Sequence, residues 1–239
     1  MTKLTMDQIK QLNMYSVYTD SPEQIIFSLE TLFDPNKTED ILIVVQTISR
    51  SPNKTVAASY FMRRIGMFIA MQFYNLASYD EVWDGKKDRL VFGAKEEFGN
   101  LAVSMFAHPE DWRDVADDER QEVIKSILKN ECDAVIRQIR TVANISSLTL
   151  WESVFGFLLW HYHVLLENSG TAVEARADLE ILKDDEVWKD IAPRSLFAVY
   201  LNGSEPSALL NTVVRTTCCL SKDVPGLMQC GFCPLKKTR

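Results

Sequence analysis

The sequence predicts an α+β fold that is mainly α-helical. It reads as one domain with a small antiparallel β-sheet and a C-terminal segment set apart by its cysteines. Three observations carry this. Apolar residues recur at helical spacing through several long stretches. Short β-forming runs separated by Gly and Asp turns lie between Ser78 and Phe106. Four of the five cysteines fall in the last 25 of the 239 residues. A chain of this length buries a sufficient core as a single domain. Within it, residues 1–53 read as an N-terminal helical region. Residues 54–210 read as a helical body with a β-meander at about 78–106, and residues 211–239 as the cysteine segment.

In chain order, Ser21-Pro22-Glu23-Gln24 has the form of a helix start and predicts a helix to about Phe33, ended by Asp34-Pro35-Asn36. Thr38-Glu39-Asp40 opens a helix through Ile48, although its Ile41–Val45 run equally suits a buried strand. Lys54 to about Leu76 reads as a long central helix, apolar nearly all round in its second half. Arg63 and Arg64 interrupt it, either as solvated or ion-paired residues or with one of them lining a functional cavity.

After the meander, Glu110–Glu119 is an acidic loop leading into a helix from Asp118 to about Asn144. Ile124, Leu128, Cys132, Val135, Ile139 and Val142 form its stripe, which makes Cys132 a small core residue. Ser147 starts a helix to about Glu167, with Leu150, Val154, Phe157, Leu158, His161 and Leu165 inward. His161 and His163, two apart, point about 200° apart on a helix and cannot meet one ion, so one core and one exposed histidine are expected. Thr171–Leu182 is helical, Asp184–Asp190 adds a turn, and Ala208–Leu220, rich in Val and Thr, reads as extended.

The net charge of −7 argues against a nucleic-acid partner, for which a basic surface supplies most of the affinity. No apolar run approaches the roughly 18 residues of a membrane span, and Met1–Thr5 shows no apolar leader. A cytoplasmic, reducing setting is the expectation, and there disulfides are disfavoured. No nucleotide fingerprint and no H-E-x-x-H occurs, so no flavin or nicotinamide site of the chain's own is visible.

Cys218-Cys219, ten residues, then Cys230-Gly231-Phe232-Cys233 is therefore a candidate thiolate centre. Adjacent cysteines in extended backbone point to opposite faces, which suits a two-iron cluster better than one zinc ion. A local turn at Cys218 would admit zinc as well.

Arg215-Thr-Thr-Cys218-Cys219-Leu220 and Cys230-Gly-Phe-Cys233-Pro-Leu resemble the C-terminal signature of ferric-siderophore reductases of the FhuF type. Ala58-Ser59-Tyr60-Phe61-Met62-Arg63-Arg64 is similar to a segment of that family's central helix, with Arg64 on the family's arginine position. The resemblance implies a bacterial cytoplasmic protein holding one [2Fe–2S] cluster on Cys218, Cys219, Cys230 and Cys233. It implies one-electron reduction of Fe(III) in a siderophore, most often of the hydroxamate type, which releases Fe(II).

An external donor, a ferredoxin or a flavin or NAD(P)H reductase, would supply the electron. There is no transmembrane segment, and a peripheral membrane contact stays open. Arg64 and Arg215 are the candidate substrate-side arginines. Arg215, matching the family's arginine there, either favours the reduced cluster by its charge or makes a surface salt bridge. Lys236-Lys237-Thr238-Arg239 either steers an anionic partner or is a solvated tail. The rival readings are a structural Cys₄ zinc module and an iron–sulfur redox sensor without turnover.

Overall fold

The computed structural model describes residues 4–97 and 99–235. Its axis is α4, Lys54–Tyr79, begun where the Asn53 side chain accepts from Val56 N at 3.0 Å and ended by left-handed Asp80. The helix is buried on nearly every side, as its sequence predicts. α7, Ser147–Glu167, packs along it. Gly66 makes the close approach possible, because a Cβ there would stand 3.2 Å from the Val154 Cα. α3, Thr38–Ser49, covers another flank, so the Ile41–Val45 run is helical.

The fold is mainly helical α+β, with a sheet that is mixed where an antiparallel one was expected. β4, Leu90–Glu97, and β5, Asn100–Ala107, form the expected antiparallel pair. β1, Val17–Tyr18, joins β5 in parallel, and β2, Ile25–Ser28, joins β4 antiparallel, giving the order β1-β5-β4-β2. The N-terminal region is thus not wholly helical. Two of its segments complete the sheet behind α1, Met6–Met14.

The helix expected from Ser21 to Phe33 is a strand followed by the single turn α2, Leu29–Leu32. The cause is tertiary. Phe27 stacks on Phe92, ring centroids 4.6 Å apart, and meets the Phe61 edge at 5.8 Å, so burial against α4 overrides the local start signal. β3, Glu81–Trp83, stands outside this sheet. It pairs with β6, Trp112–Asp114, inside the stretch read as a loop.

The helix predicted from Asp118 to Asn144 is α5, Arg120–Ser126, a π-helical stretch, Ile127–Asp133, and α6, Ala134–Arg140. Its stripe faces the core, Cys132 included. α8, Ala172–Lys183, and α9, Asp185–Trp188, follow as expected. After α10, Leu196–Leu201, and α11, Pro206–Leu209, the chain carries no strand among the described residues, which corrects the extended reading of Ala208–Leu220. Among the described residues no helix is long and apolar enough to cross a membrane.

Candidate functional site

The cysteine segment has almost no regular structure of its own, so other groups must satisfy its backbone. The principal one is Glu152 of α7, 1 % exposed. Its Oε1 accepts from Thr216 N at 2.7 Å and from Thr216 Oγ1 at 2.8 Å, and its Oε2 accepts from Thr217 N at 3.0 Å and from the Thr217 hydroxyl. Arg215 answers from the other side. It donates to the carbonyls of Thr149 (3.0 Å), Glu152 (3.1 Å) and Thr217 (3.2 Å), and its Nε lies 3.7 Å from Glu152 Oε2. Arg215 is 4 % exposed, so the surface salt bridge is corrected to a buried clamp just ahead of Cys218.

α4 supplies the second attachment. Ser59 Oγ donates to the Cys219 carbonyl at 2.7 Å, and Arg63 donates to Ser221 Oγ at 2.8 Å. Leu220 between them takes a left-handed conformation, which turns the chain directly after the adjacent cysteines. The segment then folds back. Cys219 and Cys230, one from each half of the motif, lie close enough for each thiol to act on the other. That interaction pulls the Cys219 thiol below the usual thiol range, aided by Ser221 Oγ at 2.9 Å, and pushes Cys230 above it. Cys233 is buried and accepts from Gln229 Nε2 at 3.0 Å; half-buried Cys218 accepts from Leu220 N at 3.4 Å.

All five cysteines are free thiols. Among the described residues no three His, Cys, Asp or Glu side chains are gathered tightly enough to hold one metal ion. Four thiols, two from each half of the motif, are the kind and number of donors that a [2Fe–2S] cluster takes, and one from each half lies near the other.

Two clefts open between the helical body and this segment, and Arg63 lines both. The smaller, about 190 Å³, is lined by Arg64, Glu97 and Val224–Leu227. Arg64 does line a cavity, but its guanidinium is committed. It pairs with Glu97 at 2.6 Å, both side chains nearly buried, and donates to Ser16 Oγ at 2.8 Å. Burial alone would raise the Glu97 carboxyl, yet Arg64 and the Ser104 and Ser16 hydroxyls outweigh it and hold Glu97 below the usual carboxylate range.

The larger cleft, about 340 Å³, is walled by Phe157, Trp160 and Phe232 and reaches Cys230 and Arg215. Gly156 leaves room for the Phe232 ring, which a Cβ would approach to 3.3 Å.

His161 is a core residue, its Nδ1 2.8 Å from the Phe157 carbonyl, and burial pushes it down to about 4. Half-buried His163 bonds Ser207, so the two do not converge. Lys236–Arg239 lie outside the described residues. Sequence reasoning missed Glu152, which sits on the buried face of α7 without a spacing signal. Of the two arginines weighed as cavity residues, Arg64 lines the smaller cleft and Arg63 lines both. In comparisons with known proteins, no family model matches the chain and no curated protein matches it.

Proposed function

We propose that the protein is a siderophore-iron reductase that carries a [2Fe–2S] cluster on Cys218, Cys219, Cys230 and Cys233. The observation that supports it is a four-cysteine segment clamped to α7 beside a cleft that Cys230 lines, with Cys219 and Cys230 of its two halves near each other. The resemblance of that motif and of the Ala58–Arg64 stretch to reductases of the FhuF type adds to it.

When bound, the cluster supplies one-electron transfer at a potential set by exposure and hydrogen bonding. The chain's own residues do the rest. Glu152 and Arg215 fix the backbone that presents Cys218 and Cys219. Burial of Cys219 and Cys233 keeps water from that side, and Arg215 places a positive charge where added electron density is favoured. Net, one electron from an external ferredoxin or flavoprotein converts chelated Fe(III) to Fe(II). Hard oxygen ligands hold Fe(II) far more weakly, so the metal is released.

The test is anaerobic turnover with a ferric tris-hydroxamate, a reduced donor and a ferrous-specific trap. Catalytic formation of Fe(II), lost in Cys219→Ser, supports the reading. Protein that carries the cluster but gives no turnover contradicts it and favours a sensor.

A further inference from the structure

The geometry points to the larger cleft as the seat of the metal chelate, with Arg63, not Arg64, as the cation that meets its donor oxygens. This deepens the reductase reading and rests on it for the kind of ligand. The cleft is identified from its own walls. Its volume of about 340 Å³ falls within the range of about 300–1,000 Å³ of small-molecule sites, and the 190 Å³ of the cleft beside Arg64 falls below it. Only the larger one includes a motif cysteine, Cys230, in its wall. A ligand seated there lies against Cys230.

The lining charges agree. Among the described residues the larger cleft is bordered by Arg63 and Arg215 and by no Asp or Glu, on a chain whose net charge is −7. Arg215 spends its donors on backbone carbonyls. Arg63 does not. Among the described residues no carboxylate pairs with it, and its hydrogen bond to Ser221 Oγ leaves most of its five N–H donors for a ligand. Its guanidinium lies 5.8 Å from the Phe157 ring centroid, which holds it at the edge of the aromatic wall. Trp160, 45 % exposed, continues that wall, and Phe232 closes it from the cysteine side.

One cation beside three aromatic faces recognises oxygen-donor groups carried on an organic framework. Arg63 bonds the metal-bound oxygens, and the rings cover the apolar linkers. Hydroxamate and catecholate chelates share this chemistry and differ in charge.

Gallium(III) complexes test the site apart from the reaction, because Ga(III) takes the same oxygen ligands and is not reduced. The gallium tris-hydroxamate and the gallium tris-catecholate are each titrated calorimetrically into the full-length protein, with unfolding curves confirming that every variant is folded. At least one complex binds the parent. Arg63→Gln, which keeps a donor for Ser221, weakens it tenfold or more, and Trp160→Leu weakens it several-fold. Leu101→Ser, in the smaller cleft, leaves binding unchanged. A loss at Arg63→Gln that is larger for the catecholate identifies charge as the main attraction; equal losses identify hydrogen bonding to oxygen.

The assignment is overturned if neither complex binds the parent. It is also overturned if Arg63→Gln and Trp160→Leu bind as the parent does, or if Leu101→Ser alone loses binding. Gallium binding that depends on Arg63, without turnover of the ferric complex, would instead overturn the reductase reading and leave the site standing. Turnover together with Arg63-independent binding would do the reverse.

Discussion

The helical body and the cysteine segment are held together in opposite ways. In the body, α4 and α7 each close their own backbone bonds and meet through apolar side chains and one glycine. Among the described residues the segment has a single 3₁₀ turn, Ser221–Asp223, and relies on a few buried polar side chains: Ser59 of α4 and Glu152 of α7 reach its backbone, and its own Arg215 reaches the backbone of α7. Stability is thus spread over many contacts in the body and concentrated in a few bonds in the segment. The segment should respond to single substitutions that the body would absorb.

Truncating Glu152 should have the largest effect on the segment. Glu152→Ala strips Thr216 and Thr217 of their acceptor and leaves Arg215 buried without its carboxylate. Removing one partner of such a pair costs about 3–5 kcal/mol. Urea unfolding should show that loss, and limited proteolysis should cut first between residues 211 and 220. Resistance equal to that of the parent would mean that the clamp is not what holds the segment.

The body offers a contrast in sign. Glu131, in the π-helical stretch, meets Gln72 of α4, and burial pushes it up to about 8 from a usual value of 4.5. The folded state therefore keeps its proton while the unfolded state loses it. Stability falls as pH rises from 4.5 towards 8, by at most about 1.4 kcal/mol per pH unit. Glu131→Gln should be more stable than the parent at neutral pH, with the gain vanishing below pH 4.5. Denaturant midpoints across that range check it, and the cysteine segment's protease sensitivity should not change.

The smallest effect sharpens the attachment to α4. Ser59→Ala removes the bond to the Cys219 carbonyl and should cost about 1 kcal/mol. Amide exchange should quicken in the segment before it does in α4.

The same contrast explains what the sequence disclosed. α4 and α7 were legible because their period, caps and breakers agree, and α8 from its period; α3 was read as a helix with a buried strand left open. The Ile124–Val142 stripe correctly placed Cys132 in the core. β2 was misread because Ser21-Pro22 offers a local helix start that the pairing of Phe27 with Phe92 overrides, a contact between residues 65 positions apart. β1 carried no signal in two residues. In the site, the four cysteines announced themselves by spacing, and Arg215 was placed beside them by the motif. Its burial was not readable, because its partners are carbonyls and one carboxylate of a distant helix. Glu152 was hidden for the same reason. Arg63 and Arg64 differ only in helical phase. One turns towards Glu97, the other towards Ser221 and the cleft.

The proposed two-iron cluster on the four cysteines is tested most directly by the visible spectrum, with iron, sulfide and zinc content, of protein purified without oxygen, beside Cys219→Ser. A red-brown protein with about two iron and two sulfide per chain, lost in the variant, is the predicted result. Colourless protein with about one zinc per chain would contradict the account and leave a structural site in its place.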